Sequence, residues 1–157
     1  MLDLDKILAL TDAMNHEGVQ YIVFGALALG AHGLVRATED ADFFVEPTEE
    51  NIERLKRALR AVWNDPNIDE ISADDLCGDY PAVAFYPAGE KFGIDFLTRL
   101  GEAYAYATLE SEEGNIQGHR IRVVTPRQLY EMKRDTVRWK DRGDADALRR
   151  KFEFPEK

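Results

Sequence analysis

Cysteine is almost missing from this chain: Cys77 is the only one among 157 residues. That excludes an internal disulfide framework and any cysteine-based zinc site, and nothing around Cys77 supports a nucleophilic role. It reads as a partly buried thiol. Long apolar runs are also missing, so no stretch has the length and composition of a membrane span. Asp3, Asp5 and Lys6 interrupt the apolar residues near the N-terminus. No signal peptide is therefore expected, and a cytoplasmic location is. Positive charge is scarce: 20 Lys and Arg against 30 Asp and Glu leave a formal charge of −10. A chain of this sign is poorly suited to bind a long phosphate backbone. It suits a cationic small acceptor, a basic partner protein, or a few RNA contacts made by the arginine-rich C-terminal part.

What is present is ordinary globular composition, 45% apolar and 32% charged, in a length that fits one domain spanning residues 1–157. Residues 20 to 46 organise the rest. Gln20 to Phe24 is rich in β-branched and aromatic residues, Gly25 opens a small-residue run with helical potential, and Thr38 to Val45 returns to strand composition. The pattern is strand, glycine turn, short helix, strand. Alternation along the second strand sends Asp40 and Asp42 to one face and Ala41 and Phe43 to the other. Adjacent carboxylates repel unless a cation or a proton is shared between them, and oxygen-only ligands of this kind suit Mg²⁺ or Mn²⁺. A solvated strand with scattered acids is the alternative. Gly25 at a strand end and helix start favours the first reading, because free backbone N–H groups and a positive dipole end seat phosphate.

The run Gly25, Ala28, His32, Gly33, Arg36, Thr38, Asp40, Asp42 resembles the first motif of the nucleotidyltransferase superfamily, and more narrowly the AbiEii-type and minimal nucleotidyltransferases of bacteria and archaea. The resemblance covers about residues 20 to 150. It implies an α/β fold with a mixed β-sheet and helices packed mainly on one face. It also implies metal-dependent transfer of a nucleotidyl group from an NTP to an acceptor hydroxyl or phosphate on a small molecule, a protein or a tRNA end. Asp40 and Asp42 would hold the metal with a third carboxylate from a later strand, for which Asp95 matches by context; Asp95 is also the candidate general base. Gly25, Ala26, Arg36 and Thr38 would line the nucleotide, and Lys133 and Lys140 are the candidates to contact the triphosphate. One position departs from the pattern: Ala26 stands where a serine would donate a hydroxyl to phosphate. That departure feeds a second reading, a weak or inactive nucleotidyltransferase fold serving as the binding module of a toxin–antitoxin pair.

The remaining segments are read from their own signals. Asp3 to Glu17 spaces apolar residues as a packing helix ending at Gly18. Pro47 and Thr48 start a helix with a stripe of Ile52, Leu55, Leu59 and Val62. Asn64 to Pro81 reads as irregular, with one helical turn at Ala73 to Leu76. Strands at Ala82–Tyr86 and Phe92–Leu97 are joined as a hairpin, and Asp95 interrupts the second between Ile94 and Phe96. The acids Glu110 to Glu113 read as a turn, and His119 to Val124 as a further strand. Thr125, Pro126 and Gln128 form a helix N-terminus, and Lys133 lies on the apolar stripe of Leu129, Met132, Thr136 and Val137. Asp141 is expected to cap the final helix, beyond Arg138. His32 reads as a packing residue at a helix end, and neither His32 nor His119 has metal-ligand spacing in sequence.

Overall fold

The structure is a computed structural model that describes residues 2–34, 38–134 and 139–155, with the backbone alone at Trp139 and Lys140. Helix α1 (Leu4–Glu17) begins where the Asp3 side chain accepts from Lys6 N–H and stops at Gly18, whose φ of 73° few other residues tolerate. Strand β1 (Tyr21–Phe24) runs directly into α2 (Gly25–Ala31), and β2 (Asp40–Val45) follows. Thr48 caps α3 (Glu49–Val62) by accepting from Asn51 N–H. A 3₁₀ turn (Pro66–Glu70) and the short α4 (Ala73–Cys77) lead to β3 (Ala82–Phe85) and β4 (Gly93–Leu97). The two-residue strands β5 (Arg99–Leu100) and β6 (Tyr104–Ala105) pair with each other. Then come β7 (Ser111–Ile116), β8 (His119–Val124), α5 (Pro126–Arg134) and α6 (Trp139–Phe152).

Among the described residues six strands form one mixed sheet in the order β3-β4-β2-β1-β8-β7. The pairs β2–β4 and β1–β8 are parallel, and β3–β4, β1–β2 and β7–β8 are antiparallel. The central strands are buried along most of their length, and only the start of β2 alternates: Ala41 and Phe43 are fully buried while Asp40 is exposed. Phe43 and Phe96, side by side on β2 and β4, stack at 5.7 Å and extend the core on that face. Asn51 is 2% exposed and fixes the frame around β1 and β2. Its carbonyl accepts from Gln20 N–H at 2.7 Å, and its amide donates to the carbonyls of Gln20 and Glu46 at 3.0 Å. A buried amide satisfied on three sides ties the N-terminus of α3 to the start of one strand and the end of the other.

The expected strands near residues 20, 40, 83, 94 and 121 are all present, and the hairpin is antiparallel as read. Two local readings are corrected. Glu110–Glu113 is not a turn: Ser111–Ile116 is an edge strand whose acids face solvent opposite β8, with Glu113 beside Arg122. Cys77 is exposed rather than partly buried, because Leu76 takes the inward position of the short α4. Desolvation first, then the charges of Asp74 and Glu49, push the Cys77 thiol up, the opposite of nucleophile activation. Among the described residues no helix is long and apolar enough to cross a membrane. Thr136, Val137 and Arg138 lie outside the described residues.

Candidate active site

The register of the sheet composes the site. β1–β2 pairing sets Phe24 opposite Asp42, β2–β4 pairing sets Asp42 beside Asp95, and β3–β4 pairing sets Ala84 opposite Asp95. Register partners share a face, so Phe24, Asp42, Asp95 and Ala84 form one row across four strands. The adjacent row begins with Asp40 beside Gly93. A Cβ on Gly93 would lie 2.7 Å from the Tyr86 ring and 3.0 Å from Asp40 Oδ1, so Tyr86, Gly93 and Asp40 continue that row. Neither Gly93 nor Tyr86 was singled out from sequence. The readable signal was a glycine opening a strand, which marks a close approach.

Gly25 fits only as glycine. Its φ is +69°, and a Cβ there would sit 2.3 Å from Asp42 Oδ2. The bend out of β1 therefore lays the start of α2 directly over the carboxylate. Thr38 holds the entry to β2: its hydroxyl donates to the Asp40 carbonyl at 3.0 Å and accepts from Asp40 N–H at 3.2 Å. That hydroxyl is occupied by backbone, while the residue still borders the site cavity.

Asp42 is mostly buried and its carboxyl is pushed up to about 7, by desolvation first and then by the charge of Asp95 and a hydrogen bond with it. The same hydrogen bond pulls Asp95 down while desolvation, the larger effect, raises it. Burial thus favours a proton held between the two carboxyls over two bare charges. Two carboxylates that share a proton at neutral pH mark a place where a cation can replace it. Among the described residues no three carboxylate, His or Cys groups converge closely enough to hold an ion as they are placed. The donor set itself, oxygen only and already short of one positive charge, fits a hard divalent cation.

A cavity of about 690 Å³ opens over these rows. Asp40, Asp42, Asp95, Gly25, Ala26 and Thr38 line one side; Leu129, Met132 and Lys133 of α5, with Asp141 of α6, line the other. Lys133 is 8% exposed, and its ammonium donates to Asp141 at 3.1 Å and Asp144 at 2.8 Å. Asp141, expected to cap the last helix, lies within the first turn of α6 and accepts from Lys133. Lys133 still bears on the carboxylates, since its charge is felt at Asp42. Thr125 does cap α5, its hydroxyl accepting from Gln128 N–H at 3.1 Å. Arg36 and the side chain of Lys140 lie outside the described residues.

His32 packs as read. Its Nε2 is 2.7 Å from the Val124 carbonyl, which can only accept, so the proton is on Nε2. Its ring meets Phe152 edge-on at 6.0 Å. His119 gains a carboxylate that sequence spacing did not reveal, Asp12 of α1 at 2.8 Å, in an exposed pair far from the site rows in chain and sheet order.

A strand, a glycine bend into a short helix, and three carboxylates on two neighbouring strands beside a deep cavity define a nucleotidyltransferase-type domain. The family model described as nucleotidyl transferase AbiEii toxin, type IV toxin–antitoxin system, matches residues 9–150, and the chain belongs to that family. No curated protein sequence matches the chain. Solved structures do. ANT(2″)-Ia in complex with adenylyl-2″-tobramycin is 12% identical, with a TM-score of 0.58 over 96% of this chain and 90% of that one. A solution structure of the antibiotic-resistance factor ANT(2″)-Ia is 14% identical, with a TM-score of 0.59 over 95% and 83%. A Thermotoga maritima protein assigned as a nucleotidyltransferase is 14% identical, with a TM-score of 0.55 over 96% and 92%. At these identities the likeness is one of fold.

Proposed function

We propose that this nucleotidyltransferase moves a nucleotidyl group from an NTP to an acceptor hydroxyl or phosphate, with Asp40, Asp42 and Asp95 as its metal-binding carboxylates. The observation that carries the reading is the side-by-side placement of Asp42 and Asp95 under the Gly25 bend. A bound Mg²⁺ or Mn²⁺ supplies the Lewis acidity that phosphoryl-group chemistry needs. The chain's own part is to orient and to move a proton. Asp95, beside Asp42 in the sheet and lining the cavity, is suited to take the proton of the attacking hydroxyl. Gly25 and Ala26 offer backbone N–H groups at the start of α2 to a phosphate. Arg36, Lys133 and Lys140 are the proposed cations for the triphosphate. Lys133 reaches that role by exchanging part of its bonding to Asp141 and Asp144 for phosphate oxygen.

Each labelled NTP incubated with protein, Mg²⁺ and candidate acceptors should yield pyrophosphate. Release that persists in Asp42→Asn would sink the proposal. Ala26 favours one other reading, a nucleotide-poor binding module paired with an antitoxin or toxin partner, since its side chain gives phosphate nothing. Calorimetry with Mg²⁺ and ATP separates the two: metal-dependent binding supports the enzyme, and none supports the module. The net charge of −10 makes a small molecule or protein the favoured acceptor over a long nucleic acid. The likeness in fold to a protein solved with adenylyl-2″-tobramycin agrees with a small acceptor.

A further inference from the structure

The outer strands of the sheet, β3 and β7, present their free edges differently. β7 carries Glu112 and Glu113, charges that discourage another strand from pairing with it. β3 is built from Ala82, Val83, Ala84 and Phe85 and carries no charge. Thr98 N–H donates to the Pro81 carbonyl at 2.8 Å, so Pro81 turns its backbone to β4. Antiparallel alternation then turns the N–H and C=O groups of Ala82 and Ala84 the other way, to the open edge. The missing N–H of Pro81 falls on the inner side and takes no donor from that edge.

The surroundings suit an added strand. Tyr80 and Tyr86 flank β3 and are 68% and 67% exposed; with Leu100 they are the large apolar side chains that the described residues leave exposed. Exposed apolar side chains gathered in one region mark an interaction surface. On the Phe85 side of the strand, where Trp63 meets the Phe85 ring at 6.2 Å, a cavity of about 280 Å³ opens between the edge and Asn67 and Glu70 of the 3₁₀ turn. Its wall is fixed: buried Asp65 accepts from Asn67 N–H at 2.9 Å and from Ala88 N–H at 2.8 Å, clamping the 3₁₀ turn to the turn after Tyr86. Residues 64–90 contain no Lys or Arg, and Glu70, Asp74, Asp75 and Asp79 are exposed. Asp69 is already paired with Arg60 at 2.6 Å, which leaves Glu70 as the acid bordering the cavity.

We propose that the free edge of β3 docks an extended, basic segment of a partner protein, which pairs with Ala82 and Ala84 as an added strand and sets a lysine or arginine against Glu70. Strand addition draws its affinity from main-chain hydrogen bonds and its selectivity from pockets for alternate side chains. Here the side chains on one face of the segment meet the cavity at Glu70, and those on the other lie over Ala82 and Ala84. The formal charge of −10 draws such a segment in from a distance. A second copy of this chain fits less well, because its own β3 would bring the acids before it against the same acids. The docking surface is independent of the transfer chemistry, and its test needs no nucleotide.

Short synthetic peptides test this on the full chain: one alternating lysine with valine, one alternating glutamate with valine, and one alternating lysine with glycine, which keeps the charge and loses the strand tendency. Affinity is read by calorimetry, and the place of binding by amide hydrogen exchange in the unmodified protein. The lysine–valine peptide should bind about tenfold tighter than the glutamate peptide, as one charge-assisted contact gives, and tighter than the glycine peptide as well. It should slow exchange at Ala82 and Ala84. Glu70→Gln should remove most of the preference for lysine, while Glu112→Gln on the opposite edge should leave it intact. Ala84→Pro deletes an outward N–H without touching the ladder to β4, so it should abolish binding that Ala84→Gly retains. Equal binding of the lysine–valine peptide and either control, unchanged exchange at Ala82 and Ala84, or binding that persists in Ala84→Pro would overturn the proposal. Self-association in sedimentation that Ala84→Pro dissolves would overturn it too, since the edge would then belong to a second copy. The exchange result decides the matter even where Ala84→Pro fails to fold.

Discussion

At the scale of single residues, two positions concentrate the physics of the site. Gly25 must be glycine twice over, for its positive φ and for the 2.3 Å that a Cβ would leave to Asp42. Gly25→Ala should cost about 1–3 kcal/mol of stability, measured by urea unfolding, and should reduce transfer far more than that loss explains, because the carboxylate is displaced. Asp42 adds a pH signature. Its carboxyl is ordinary in the unfolded chain and pushed up to about 7 in the fold, so the native state holds a proton that the unfolded state has lost between those values. That contribution to stability is complete below about pH 4 and gone above about pH 7 in the metal-free protein. Asp42→Asn should therefore raise the melting temperature at pH 8, leave it nearly unchanged at pH 4, and abolish transfer at both. A metal-free protein whose Asp42→Asn variant melts no higher at pH 8 would contradict the shared proton.

At the scale of elements, the joint between α5 and α6 depends on charge. Lys133 bonds two carboxylates, Asp141 and Asp144, and all three residues are at most 9% exposed. Removing the ammonium takes a hydrogen-bonded cation from both acids in a poorly hydrated place. Lys133→Met should cost about 3–5 kcal/mol by chemical denaturation. A double change of Lys133→Met with Asp144→Leu should recover part of it. The same elements show what sequence made legible. Strands carrying alternation and strong caps were readable: β2 from Asp40 to Val45, the Thr48 and Thr125 caps, and the Gly18 stop all stand where their residue types place them. Asp95 was readable because an acid inside an apolar strand demands a reason. What stayed hidden was whatever only pairing creates. Ser111–Ile116 is polar on both faces because it is an edge strand, so its composition mimicked a turn. The Lys133 pair with Asp141 needs a helix turn-back that no local spacing encodes, and the Asp12–His119 pair spans more than a hundred residues. Tyr86 beside Asp40 is likewise visible only once β3 and β4 are in register.

At the scale of the whole molecule, charge and topology decide how the protein meets its partners. With a formal charge of −10, association with bulk tRNA should be weak at physiological salt and should change little across a salt series. Tight binding with a steep slope in filter or anisotropy assays would show that a local basic surface outweighs the total. Topology bears on when the site exists at all. The sheet centre joins β1 to β8 and β2 to β4, strands distant along the chain, with Val23 beside Val123 and Asp42 beside Asp95. During synthesis Asp40 and Asp42 leave the ribosome long before Asp95, and β8, which flanks the Gly25 strand, later still. A nascent chain stalled before Gly93 should carry both early carboxylates and bind no nucleotide with Mg²⁺, while a chain released after α6 should bind at once. The parallel crossovers thus act as a timer: Asp42 gains its Asp95 neighbour only after the chain through β4 has been made.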